Sequence, residues 1–100
     1  MTIHNAKITG TQLGKEDHGI MTAYVHCDFG GSGQGFGGYF LGGDRTDTFI
    51  QGVLDATGVR RWEKLPGAVV RVKREDGLLR AIGHFLDDRW FTPADALKGT

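Results

Sequence analysis

The stretch that decides the fold is Ile20-Met21-Thr22-Ala23-Tyr24-Val25-His26-Cys27-Asp28-Phe29. Met21, Ala23, Val25, Cys27 and Phe29 alternate with Thr22, Tyr24, His26 and Asp28. A period of two with one apolar face is the pattern of a half-buried strand. Upstream, Glu16-Asp17-His18-Gly19 reads as a turn, and residues 3–13 as a weaker strand with Ile3 and Ile8 in a polar setting. Gly10 and Gly14 weaken that strand or mark a bulge. Downstream, residues 30–35 read as a glycine loop, after which residues 36–41 pair back as a third strand.

Beyond residue 41 the period changes. Phe49, Ile50, Val53 and Leu54 form one stripe at helical spacing, which predicts a helix over residues 48–57. Thr48 with Gln51 has the spacing of a capping box, and Gly58 suits a left-handed C′ position with Val59 packing back. Trp62 and Leu65 anchor a connection to Pro66-Gly67. Residues 68–74 and 78–85 read as strands joined by Asp76-Gly77, a strong hairpin signal. Thr92-Pro93-Ala94-Asp95 starts a short C-terminal helix. The expected order is β-β-β-α-β-β plus a tail. That is an α+β fold, a small antiparallel sheet packed on one main helix, in a single domain over residues 1–100.

Composition narrows the function classes. The chain has 100 residues, seventeen of them glycine, one cysteine and a formal net charge of +0. The glycines follow no three-residue period, so a collagen repeat is excluded. No apolar run reaches the ~18 residues of a membrane span, and the N-terminus lacks the apolar core of a secretory signal. Cys27 alone makes no intramolecular disulfide and fits a reducing cytoplasm. Neutral charge argues against a dedicated binder of duplex nucleic acid. Charge is uneven, however: residues 60–80 hold seven basic and three acidic side chains.

Eight of the seventeen glycines fall in residues 30–43, GGSGQGFGGYFLGG. Gly33, Gly35 and Gly38 match G-x-G-x-x-G, but the strand-like Tyr39-Phe40-Leu41 that follows removes the dinucleotide-binding context. No phosphate-loop lysine is present. Ser32, the only serine, misses the nucleophile-elbow pattern by one residue. Two readings remain: a long hairpin whose glycines allow bulges or close approach, or a ligand or subunit contact. In the second, Gln34, Phe36 and Tyr39 lie beside open backbone, where aromatic rings stack on a base.

With Asp76-Gly77 as a two-residue loop, Glu75 faces Leu78, Lys73 faces Arg80 and Arg71 faces Ile82. Arg71, Lys73, Arg80 and His84 then share one sheet face, with Val70, Val72, Ala81 and Phe85 on the other. Opposed Lys73 and Arg80 repel, and a bound anion between them reverses the sign. The alternative is a solvated face with acidic neighbours. Cys27 reads as core; His26 and Asp28, on the opposite strand face, lack a third metal ligand. Trp62 reads as packing. Trp90 and Phe91 either close the core or dock on a partner. No nucleophile–base or acid–base set emerges, so neither catalysis nor a cofactor or metal is expected.

Four motifs in one order resemble a family of small phage and prophage proteins. They are Leu13-Gly14 with Glu16-Asp17-His18-Gly19, the segment from Gly31 to Tyr39, Gly58-Val59 with Trp62 and Leu65, and Ile82-Gly83 with Trp90-Phe91. The resemblance extends to Thoeris anti-defence sponge proteins, which sequester cyclic ADP-ribose signals or cyclic oligonucleotides without cleaving them. It implies a homo-oligomer with nucleotide pockets between subunits, acting in the cytoplasm of an infected bacterium. Arg80 and His84 are the positions it points to first, and Trp90 is a further candidate ligand contact. The alternative expectation is an inhibitor that binds a host protein, in the manner of an anti-CRISPR.

Overall fold

The computed structural model describes residues 1–15, 19, 21–41 and 44–96, with the side chains of 38–41, 44 and 46 outside the description. The elements are β1 (Thr2–Lys15), β2 (Met21–Phe29), β3 (Ser32–Leu41), α1 (Asp44–Thr57), a single 3-10 turn (Trp62–Lys64), β4 (Val69–Glu75), β5 (Leu78–His84), β6 (Trp90–Phe91) and α2 (Pro93–Ala96). The α+β class is as the sequence predicts, with a sixth, two-residue strand added. All six strands form one antiparallel sheet in the order β3-β2-β1-β4-β5-β6.

The sheet curls so that β3, at one end, lies against β5 near the other. β3 reaches β5, and Gln34 Nε2 donates to the Gly77 carbonyl at 2.8 Å. β1 is long enough to pair with β2 along one half and β4 along the other, and it bends at a bulge between Ile8 and Gly10. There the Ile8 N–H donates to the Ala68 carbonyl and the Gly67 N–H to the Ile8 carbonyl, so the connection before β4 caps the bulge. A curled antiparallel sheet whose third strand lies against its fifth, with a helix between the third and fourth, has the connectivity of a partly open OB-type barrel. Among the described residues no helix is long and apolar enough to cross a membrane.

β2 follows its alternation from Ala23 onward, whereas Thr22, expected on the polar face, is buried. Ala23, Val25, Cys27 and Phe29 are buried, while Tyr24, His26 and Asp28 face outward. Burial in apolar surroundings pushes the Cys27 thiol up to about 12, which keeps it a neutral core group. The glycine segment departs from expectation. Residues 30–35 are not a loop: Gly30 and Gly31, both at positive φ, make a two-residue turn and β3 begins at Ser32. Gly37 (φ +119°) sits at a bulge where a Cβ would collide with the Ala23 carbonyl oxygen and touch the Phe49 ring. Only glycine lets α1 pack this closely on β3.

α1 starts four residues earlier than predicted. Thr48 lies inside it rather than capping it, and Gln51 Nε2 donates to Asp47 Oδ2 at 2.8 Å one turn back. Phe49, Val53 and Ala56 are buried against the sheet, where Phe36, Phe49 and Phe91 form a continuous ring contact. Gly58 ends the helix as predicted: φ is +77°, and its N–H donates to the Leu54 carbonyl at 2.9 Å. Phe85, expected on the core face, is exposed, and Trp62 packs half-buried against the core.

Candidate functional site

The basic hairpin turns as expected but is registered differently. Asp76 (φ +53°) and Gly77 (φ +78°) form the two-residue turn, and Glu75 pairs with Leu78. Arg80 is then an extra residue in β5, so Lys73 pairs with Ala81 and Arg71 with Gly83. The cause lies in the apolar residues. Leu79 and Ile82 are both buried in the core, and strict alternation would turn one of them outward. The bulge shifts every later residue of β5 by one. Ala81 and Gly83 therefore share the outer face with Arg71 and Lys73, whereas His84 pairs with Val70 on the inner side.

Trp90 completes the outer face. It pairs with Gly83 across β6, and its ring occupies the space above that glycine: a Cβ there would stand 2.5 Å from Trp90 Cε3 and 2.8 Å from the Arg89 carbonyl oxygen. Trp90 Nε1 donates to Asp88 Oδ1 at 3.0 Å, which fixes the ring's rotation. Lys73 Nζ lies 4.2 Å and Arg71 Cζ 5.0 Å from the ring centroid. These are cation–π distances. Arg71 is held further by Nε to the His84 carbonyl and Nη2 to the Asp87 carbonyl, both at 2.9 Å. Among the described residues no carboxylate reaches ion-pair distance of Arg71 or Lys73. A cleft of about 500 Å³ opens beside Trp90, between Gly52, Asp55 and Ala56 of α1 and residues 88–91.

Of the eight residues picked from the sequence, the structure brings together Arg71, Lys73 and Trp90. Phe36 is 1% exposed and stacks on Phe49, so it is a core residue rather than a ligand contact. Gln34 faces inward opposite Cys27, and its amide closes the barrel onto Gly77. The backbone of Tyr39 pairs with Ala23, but its side chain lies outside the described residues. Arg80 is the bulge residue, apart from the Arg71–Lys73 pair, with its Nε enclosed and unbonded. His84 packs against Gly58 at the end of α1. Its Nδ1 accepts from the N–H groups of Leu86 (3.1 Å) and Asp87 (2.9 Å), so the ring proton sits on Nε2. Sequence reasoning missed Gly83, whose bareness seats Trp90, and Asp88, which orients it. The Ile82-Gly83 and Trp90-Phe91 pairs were the available signal, because β6 pairs with those two residues of β5.

No family model matches this chain, and neither the curated proteins nor the solved structures include a match. The geometry defines a small barrel of OB-type architecture with an aromatic ring and two cations on its outer face.

Proposed function

We propose that the chain binds and sequesters a phosphate-containing cyclic nucleotide, a cyclic ADP-ribose isomer or a cyclic oligonucleotide, without cleaving it. The observation that carries this reading is the pair of cations beside Trp90 with, among the described residues, no carboxylate at ion-pair distance, Asp88 being engaged by Trp90 Nε1. A phosphate relieves the repulsion between Arg71 and Lys73, and a base has the indole to stack on. Among the described residues Arg71 keeps one Nη free of protein acceptors, and Lys73 has its whole ammonium to offer. The work asked of the site is capture, in keeping with the resemblance to anti-defence sponge proteins of phages. It takes place in the cytoplasm of an infected bacterium, and a second copy of the chain closes the open side of the patch. Barrels of this architecture hold ligands on outer strands, which supports the reading by analogy alone.

Isothermal titration with cyclic ADP-ribose isomers and cyclic di- and trinucleotides tests it. Heat of binding that disappears in Trp90→Ala is expected, with intact nucleotide recovered after denaturation. No heat with any of them sinks the proposal, and light scattering that shows a strict monomer removes the shared pocket.

A second reading is a blocker of a host protein. It is favoured by the turn beside the patch, where Phe85 and Leu86 are exposed (Leu86 80%) on a backbone pinned by His84 and Arg71. Capture of one host partner that Leu86→Asp abolishes, with no nucleotide heat, decides for this reading.

A further inference from the structure

β6 is an end strand of the sheet, and among the described residues its far edge pairs with nothing. The His84 N–H donates to the Arg89 carbonyl at 2.9 Å, and Ile82 pairs with Phe91. Hydrogen-bonded and non-hydrogen-bonded pairs alternate along an antiparallel ladder. Gly83–Trp90 is therefore a non-hydrogen-bonded pair, and the N–H and C=O of Trp90 both point away from β5. No described turn, loop or cap bonds to either. The cleft between residues 88–91 and Gly52, Asp55 and Ala56 of α1 lies along this edge. The edge is fixed in advance. Leu86 and Asp87 donate to His84 Nδ1, Arg71 Nη2 donates to the Asp87 carbonyl, and the Phe91 ring fills the space that a Cβ at Gly52 would need. Three charged side chains line the cleft: Asp55, Asp88 and Arg89. Asp88 accepts from Trp90 Nε1 at 3.0 Å, and Arg89 Nη2 lies 3.6 Å from Asp87 Oδ2. Asp55 is exposed and forms no ion pair among the described residues, although Arg60 and Arg89 line the adjoining hollow with it.

We infer that this edge takes up an extended peptide segment of a partner protein, which lies in the cleft as a seventh strand. A main-chain N–H and C=O facing out of a fixed strand are matched by one extended peptide residue, its carbonyl to the N–H and its N–H to the carbonyl. A helix has spent its main-chain groups internally, so the segment is extended. The residue opposite Trp90 puts its side chain on the outer face beside the indole, and its two neighbours point toward α1. There Gly52 and Ala56 leave room for one branched apolar side chain, and the unpaired Asp55 receives a basic one. Arg89 does not reverse that preference, because Asp87 already lies beside it. The segment thus carries a basic and an apolar residue on either side of the position that faces Trp90. Because the edge is already rigid, the ordering cost falls on the peptide alone. β6 is two residues long and Pro93 follows Thr92, so the edge admits one short segment without templating a growing sheet. The inference uses the main chain of Trp90 and the cleft. It rests neither on the outer face of the indole nor on the exposed turn at Phe85 and Leu86.

Selection of a displayed library of random short peptides on the whole chain tests the inference. Enrichment of sequences with a basic and an apolar residue flanking one position is expected. In fluorescence anisotropy with the selected peptides, N-methylation of the central residue, which removes its donor, should weaken binding about 10-fold. Asp55→Lys should weaken binding by about the same factor, leave the melting temperature unchanged, and restore binding when glutamate replaces the basic residue of the peptide. Bound peptide should also slow solvent exchange of the Trp90 main-chain amide, read by nuclear magnetic resonance. A merely structural role for Asp55 cannot give the charge-swapped rescue. No enriched peptide, peptides that bind as helices, or binding untouched by N-methylation and by Asp55→Lys overturns the inference. Enriched acidic peptides would belong to Arg71 and Lys73, and peptides lost in Leu86→Asp but kept in Asp55→Lys to the exposed turn; either result overturns it as well.

Discussion

The β2–β3 and β4–β5 hairpins are built alike up to their outer faces. Each turns on two residues with positive φ, Gly30-Gly31 in one and Asp76-Gly77 in the other. Each carries one bulge, and each has small residues on the outer face of its second strand: Gly33 and Gly35 on β3, Ala81 and Gly83 on β5. Rings sit beside both floors, Tyr24 and His26 on the first and Trp90 on the second. The difference is charge. Arg71 and Lys73 crowd Trp90, whereas β2 itself puts only Asp28 beside its rings. Glycine on the outside of this barrel marks where rings stand, and the neighbouring strand decides what kind of ligand surface results.

The inner faces give the largest test of that division. If β3 is a core strand inside and a bare strip outside, Phe36→Ala removes a fully buried ring from the Phe36–Phe49 stack. The expected loss is about 3–5 kcal/mol of unfolding free energy, read by urea denaturation. A loss under ~1 kcal/mol, with weakened nucleotide binding, would return Phe36 to the ligand site.

The two floors differ in how tightly they are covered, and this gives the next largest effect. Gly83→Ala puts a methyl into the space of the Trp90 ring and close to a backbone oxygen, and overpacking of this kind costs about 1–3 kcal/mol. Gly35→Ala meets Tyr24 Cδ1 at 3.5 Å and His26 Nδ1 at 3.9 Å, ordinary contacts, and is expected to be neutral or stabilising. Melting temperatures of the two variants, measured side by side, break the comparison if they fall equally.

Much of this architecture is legible in the residues. The alternation over residues 21–29, the Asp76-Gly77 turn, the stripe from Phe49 to Leu54 and the stop at Gly58 each encode a local rule, and each element stands where that rule puts it. The site was less legible because it depends on register. One extra residue, Arg80, exchanges the faces of everything after it in β5, and that bulge follows from Leu79 and Ile82 both seeking the core. Likewise, in Gly33-Gln34-Gly35-Phe36-Gly37 the strand period was present, but glycine has no hydropathy to mark the outer face. β6 has two residues, too few for any periodicity. Its partner on β5 is set by the turn that His84 and Arg71 hold.

A smaller effect comes from the inner side of the first hairpin. Cys27 is raised from 9.0 to about 12 by burial. In the unfolded chain the thiol ionises above pH 9, while in the folded chain it stays protonated, so above pH 9 the folded state binds more protons. Stability is therefore full below pH 9 and falls between pH 9 and about 12, by about 1.4 kcal/mol per pH unit. Cys27→Ala flattens this slope in denaturant titrations at pH 8 and pH 10. An unchanged slope assigns the alkaline loss to other groups.

The second hairpin gives the smallest change in stability and the sharpest separation of roles. Arg71 is tied to two carbonyls and holds the 84–88 turn, whereas the Lys73 ammonium, among the described residues, has the Trp90 ring as its one partner. An exposed cation–π contact is worth about 0.5–1 kcal/mol, so Lys73→Gln should lower stability by no more than that. Its effect on an anionic ligand is larger in kind. Removing one phosphate contact reduces the slope of log K against log salt by about 0.7 for a single strand, with no change in which base is preferred. Arg71→Gln should show both a stability loss and a flatter salt slope, because the same side chain braces the turn. If Lys73→Gln leaves the salt dependence untouched, the cations serve only to hold Trp90, and the charge that distinguishes the two hairpins is structural.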